Sequence, residues 1–457
     1  MRKVLAMLLL IFLIILSGCS NDSNIVNSDS SEDDNKDQEN TSLALTYPIV
    51  DTGVTDSYSN VAIIDMPTQG NPFYGQDSNY NGNEPSYTDN EDGTITDNVT
   101  GLMWQQDMGE KMTWDDAITY AQTCNLGGYD DWRVPSIKTL YSLIQYTGTS
   151  GGEVAGETQF IDTDYFIQPI GDTTIGEREI DAQTWSSTVY VGTTMNGQET
   201  IFGVNFIDGR IKGYSKYKAA TKSANTMYIR LVRGNTEYGE NNYIDNGDGT
   251  ITDLATGLMW QQNDSAQGLD WENALSYAEN LNLAGYDDWK LPNAKELQSI
   301  VDYTRSPSTT DSAAIDPLFT VTSILDMNGN KQFPYFWTST THLDGVNPYS
   351  SAVYIAFGYA QGVMNDVLMD VHGAGAQRSD PKSGNEADYP LSMGPQGDIR
   401  MVYNYVRCVR MVDLFETTVD NETMSFNVKD NIEVNLFPSV IQANIEWMRK
   451  QTLMFLI

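Results

Sequence analysis

Two acidic runs, DNEDGTITD (89–97) and DNGDGTITD (245–253), hold the side chains best suited to metal chemistry. An EF-hand calcium loop needs oxygen ligands at loop positions 1, 3 and 5 and a bidentate Glu at 12. With Asp92 and Asp248 at position 5, position 1 falls on Thr88 or Ile244 and position 12 on Val99 or Ala255. The register fails, whereas Asp-Gly is what a tight hairpin turn requires. Calcium is the one cofactor these residues raise, and no cofactor or metal is expected.

The YDDW motifs set Asp130 beside Asp131 and Asp287 beside Asp288. Glycoside hydrolysis needs two carboxylates facing each other across a sugar, which neighbours in sequence rarely do. Turn or cap hydrogen bonding accounts for them better. His342 and His372 are the two histidines, both in the second half, with no Cys or His at ligand spacing. That pattern supports neither zinc nor a nucleophilic triad. No catalytic residue is assigned, and an enzyme is not expected.

Charge is what remains. The chain carries 26 Lys+Arg against 62 Asp+Glu, a net −36. Such a field repels nucleic acid and other polyanions. Against it, GRIKGYSKYKAATK (209–222) gathers Arg210, Lys212, Lys216, Lys218 and Lys222 around Tyr214 and Tyr217. This is the candidate ligand patch, suited to an anionic glycan, a lipid headgroup or an acidic neighbour. Its bland alternative is a loop balancing its own protein's charge. The presumed match in the second half, VYIAFGYAQGVM (353–364), lacks those charges.

The elements that would position these residues come twice. DGTITDNVTGLMWQQ with GGYDDWRVP (92–135) returns as DGTITDLATGLMWQQ with AGYDDWKLP (248–292). A copy this close over so long a period means two related domains rather than a solenoid. Each opens with a strand–turn–strand, and Thr113 then caps a helix whose apolar face is Trp114, Ala117, Ile118 and Ala121. Ser136 caps a second helix, expected to run through Tyr146. Strands follow, from WSST (185–188) or WTST (337–340) to the closing IRLVR (229–233) or VRCVR (406–410). The repeated tryptophans, Trp104, Trp114, Trp132 and Trp185 with Trp260, Trp271, Trp289 and Trp337, read as core, with sugar stacking the minority reading. The order predicts an α+β fold.

The N-terminus predicts an address. Arg2 and Lys3 precede an apolar run, Val4–Leu16, too short to span a bilayer but right for a signal peptide. Leu16-Ser17-Gly18-Cys19 resembles a bacterial lipobox, which implies lipidation at Cys19. Residues 20–45 read as a disordered acidic tether. Cys124 and Cys408 then remain, too few for a disulfide framework.

Together DGTITDNVTGLMWQQ, WDDAITYA, GGYDDWRVP, WSST and VRCVR resemble the Lcl C-terminal domain family, named after a Legionella collagen-like adhesin. The resemblance covers residues 47–412 and implies a C-type-lectin-like fold. It also implies a cysteine in the first helix paired with the one in VRCVR, but Ala121 and Ala278 stand at those helix positions. Cys124 and Cys408 are therefore expected to be free and buried. The sulfated glycosaminoglycans associated with the adhesin's domain suit a chain at −36 poorly.

The resulting expectation is an α+β chain of two tandem C-type-lectin-like domains, each with a hairpin, two helices and a β-rich second half. The order is signal peptide (1–19), tether (20–45), first domain (46–235), second domain (236–412) and an unassigned tail (413–457). Its expected role is non-catalytic binding of a glycan or protein at the cell exterior. Its expected place is a bacterial cell envelope, at the outer membrane or cell surface, lipid-anchored and without other membrane contact or nucleic acid. The alternatives are a structural envelope component packed against a partner lipoprotein, or a carboxylate-dependent glycan hydrolase.

Overall fold

The Asp-Gly turns start each copy. Gly93 and Gly249 sit at φ 84° and 93°, a region open to glycine at little cost. In each turn the preceding Asp accepts twice from the Thr that follows the glycine, through its amide and its hydroxyl. Those distances are 3.0 and 2.6 Å for Asp92 with Thr94, and 3.1 and 2.6 Å for Asp248 with Thr250. The acidic runs are hairpin turns.

The computed structural model describes residues 45–151 and 158–412, and the backbone of 416–419, 424–427 and 433–436. The signal peptide, Cys19 and the tether up to residue 44 lie outside the described residues. The three backbone segments of the tail pair as an antiparallel sheet.

The first copy runs β1 (Tyr87–Asp89), β2 (Thr94–Asp97), β3 (Met103–Gln105), α1 (Trp114–Thr123), α2 (Ile137–Tyr141), β4 (Thr184–Val189), β5 (Thr200–Asn205), β6 (Arg210–Ser215) and β7 (Val232–Arg233). The second runs β8 (Tyr243–Asp245), β9 (Thr250–Asp253), β10 (Leu258–Gln261), α3 (Trp271–Glu279), α4 (Ala294–Ser299), β11 (Tyr335–Thr341), β12 (Ser351–Ala356), β13 (Gln361–Met364), β14 (Val367–Asp370), β15 (Gln377–Pro381), β16 (Leu391–Met393), β17 (Asp398–Arg400) and β18 (Val409–Met411). The fold is α+β and β-rich.

Each copy builds one four-stranded sheet from its hairpin and its closing strand, in the orders β7-β3-β2-β1 and β8-β9-β10-β18. The registers correspond: Trp104 lies between Ile95 and Val232, and Trp260 between Ile251 and Val409. Caps begin the helices as the sequence predicts. Thr113 accepts from the Asp116 amide, Ser136 from Thr139, and Asn293 forms a capping box with Glu296. The second helix of copy one stops at Tyr141 rather than Tyr146. From Ser142 onward the amides bond three residues back, and the Ser142 hydroxyl donates to the Thr139 carbonyl at 2.8 Å, tightening the chain out of the α-helix.

The copies do not stand apart. Their second halves join in one antiparallel sheet, β11-β12-β15-β6-β5-β4, with Ile211 of β6 opposite Gln377 of β15 at the seam. Both copies fall within one compact unit, Ser42–Ile457. Strands β5 and β12 are buried from end to end. Between β12 and β15 the second copy inserts the hairpin β13–β14, which belongs to a separate sheet, β14-β13-β17-β16. The structural counterpart of β6 is therefore β15, not the 353–364 stretch, and it carries Arg378, with Lys382 just past its end.

Lead-in segments are exchanged as well. The segment before copy one packs on copy two: Lys295 donates to the Asp51 carbonyl at 2.7 Å, and Thr340 to the Asp77 carboxyl at 2.6 Å. The segment before copy two packs on copy one, where Lys138 donates to the Gly239 carbonyl at 3.0 Å. Lys138 and Lys295 occupy the same place in α2 and α4. Burial pushes the Asp77 carboxyl up to about 7 and the Lys295 amine down to about 7.

Candidate functional site

The patch at 209–222 is drawn inward by the seam. Arg210 is 8% exposed, within 3.4 Å of Asp208 and ion-paired with Asp344 of the other copy. Lys212 donates to Asp208 at 2.8 Å. Burial pushes the Asp208 carboxyl up, but the Lys212 ammonium and the Arg210 guanidinium outweigh it and hold that carboxyl below its ordinary range. Tyr214 is half-buried, its hydroxyl enclosed without a partner. Lys216 lies 2.9 Å from Asp115 and 4.8 Å over the Trp114 ring. Tyr217, Lys218 and Lys222 stand at the surface. Arg210, Lys212 and Lys216 are thus paired with the protein's own acids, while Tyr217, Lys218 and Lys222 are left at the surface.

The YDDW motif clamps the closing strand. Arg233 stacks 3.7 Å over Tyr129 and pairs with Asp131 at 2.6 Å; Arg410 stacks 3.9 Å over Tyr286 and pairs with Asp288 at 2.6 Å. The earlier arginine of each closing segment is fully buried. Arg230 donates to the carbonyls of Gln105, Gln106 and Ile167, and Arg407 to those of Gln261, Gln262 and Thr320. All the repeated tryptophans but the half-buried Trp114 are buried, which places them in the core. Cys124 and Cys408 are buried and free. Among the described residues, no group of three or more His, Cys, Asp or Glu is placed to hold a metal ion.

What the motifs do not explain is a cleft of about 460 Å³ in copy two. Phe333, Pro334 and Tyr335 form one wall, and Tyr403, Asn404 and Tyr405 form another. Pro390, Ile399 and Met401, from the inserted sheet and its exit, close a third side, and Leu325 and Met327 stand at the rim, 70% and 54% exposed. Four polar residues besides the tyrosines line it, Asp326, Gln332, Gln361 and Asn404. Gln361 donates to Asp326 at 3.0 Å, and Asn404 donates behind the wall to Asp380 at 3.0 Å. Burial raises the Asp326 carboxyl, but the Asn330 amide and the Gln361 side chain reverse this and leave it below the ordinary range.

Copy one differs at this position. Gln183 stands where Tyr335 does, and Tyr228 where Tyr405 does, since Tyr228 bridges Thr184 of β4 and Tyr405 bridges Phe336 of β11, both in parallel. Over the Tyr228 ring, at 5.3 Å, lies Lys111, which is pinned to Glu177 at 2.6 Å. Copy one thus sets a lysine, held by Glu177 of the loop after Ile170, over the ring whose counterpart lines the cleft of copy two; both tyrosines are half-buried. The sequence signal was small: YNYVRCVR (403–410) against TMYIRLVR (226–233).

A family model for the Lcl C-terminal domain matches residues 93–233 and again 249–369, more than half of the chain. The chain belongs to the Lcl C-terminal domain family. No curated protein and no solved structure matches it. The second Lcl C-terminal domain match ends inside the hairpin β13–β14, where the insertion parts the two copies. Tyr403, Asn404 and Tyr405 lie beyond it.

Proposed function

We propose that this protein is a non-catalytic binding protein of the cell exterior whose two Lcl C-terminal domains are C-type-lectin-like modules. In this reading copy one braces the fold and copy two takes an uncharged glycan in its aromatic cleft. The observation that carries it is the cleft that Tyr405 lines with Phe333, Pro334, Tyr335 and Tyr403, at the position where copy one instead sets Lys111 over Tyr228. Ligand pockets are concave and mostly apolar, with a few placed polar groups. Tyrosine rings offer broad apolar faces for the C–H side of a pyranose, with polar tips for its hydroxyls. Gln361 and Asp326 add amide and carboxylate partners.

The net charge of −36 favours an uncharged ligand over a sulfated one. Asp326 is the one carboxylate among the lining residues and is already committed to amides, whereas glycoside hydrolysis uses a pair. That favours binding over turnover. Lipidation at Cys19 would hold the protein at the envelope, facing such ligands.

The test is an array of neutral glycans probed with the full chain and with Tyr403→Ala/Tyr405→Ala. Binding by the wild type that the double variant loses is the expected result. An array without binding, or equal binding by both chains, overturns the reading.

A further inference from the structure

We infer that Lys138 and Asn241 become joined by an intramolecular amide bond that ties the link between the two copies to α2. The Lys138 amine lies 2.7 Å from Oδ1 of Asn241 and 3.0 Å from the Gly239 carbonyl. The Asn241 amide nitrogen donates to Oδ2 of Asp253 at 2.8 Å and towards the Tyr47 hydroxyl at 3.4 Å. Asp253 is fully buried, and Tyr47 nearly so. An amine, a carboxamide, a carboxylate and a phenol thus meet at one point.

The amine is in a usable state. Burial pushes it down to about 8, against the pull of Asp253, so a fraction is neutral near physiological pH. In the step, the neutral Nζ adds to Cγ of Asn241. The proton lost by Nζ passes through the Asp253 carboxylate to Nδ2, the nitrogen that carboxylate already holds. The Cγ–Nδ2 bond then breaks and ammonia departs, leaving a secondary amide. Atoms balance without oxidant or co-reactant. A cleft of about 480 Å³, lined by both Lys138 and Asn241, gives the ammonia its exit.

The other copy provides the control. Lys295 holds the corresponding place but donates to the main-chain carbonyls of Asp51 and Ser142. Among the described residues Lys295 is hydrogen-bonded to no side-chain amide that could be displaced, so one link is expected, not two.

The decisive experiment is a peptide map of the purified wild-type full chain by mass spectrometry. Expected is a branched species joining the Lys138 and Asn241 peptides, lighter than their sum by one ammonia. It persists in Lys295→Arg and is absent from Lys138→Arg and Asn241→Ala. Separate, unaltered Lys138 and Asn241 peptides in the wild type overturn the inference, and because the wild type alone decides, a variant that fails to fold does not blur the result.

Discussion

Arg210 of the first copy and Asp344 of the second are ion-paired inside the molecule, at the one seam where the two sheets become one. The side chains are 10% and 24% exposed, and Asp208 closes the other side of the guanidinium. Arg210, which in sequence belongs to a candidate ligand patch, fastens the two copies together.

Arg210→Met should therefore destabilise the fold by about 3–5 kcal/mol, because it strands Asp208 and Asp344 in a largely enclosed site. Denaturant unfolding would read this, and a loss below about 1 kcal/mol would show that the seam does not depend on the pair.

Both histidines lie at the same seam and are held neutral. Burial, helped by Arg378, pushes His372 down to about 4 against the pull of Asp398, and burial with Arg210 pushes His342 down to about 3. Unfolded, each would titrate near 6.5. Below that pH the unfolded chain takes up protons that the fold refuses. The contribution is thus complete above pH 6.5 and lost as pH falls towards 4, by roughly 3 kcal/mol per histidine. His372→Gln should flatten this part of a stability-versus-pH curve; an unchanged slope would contradict the assignment.

The YDDW carboxylates should matter little on their own. Asp131 and Asp288 are 55% and 56% exposed, and exposed pairs contribute about 0–1 kcal/mol. Asp131→Asn and Asp288→Asn should each leave the melting temperature and ligand binding nearly unchanged. A large loss of binding with an intact fold would return these motifs to function.

Local chemistry was legible in sequence. Asp92-Gly93 and Asp248-Gly249 turn where such dipeptides turn, and Thr113 and Ser136 cap their helices, through neighbours a few residues away; the repeated tryptophans pack the core because their apolar bulk alone marks them for burial. The seam was not legible, because Arg210 finds Asp344 across 134 positions and no periodicity carries that information. The insertion β13–β14 then displaced the true counterpart of β6 to 377–381, so comparison by position paired the wrong strands. The cleft was hidden for a similar reason: Phe333, Tyr335, Tyr403 and Tyr405 come together from separate segments, and what distinguishes Tyr405 from Tyr228 is a lysine more than a hundred residues before Tyr228.

That distinction supports the most direct measurement. A neutral glycan that binds the array would be titrated calorimetrically into wild type, Tyr405→Ala and Tyr228→Ala. The cleft predicts about a tenfold weaker Kd, about 1.4 kcal/mol, for Tyr405→Ala and no change for Tyr228→Ala. Equal loss in both variants, or loss in Tyr228→Ala alone, would contradict recognition by the second copy.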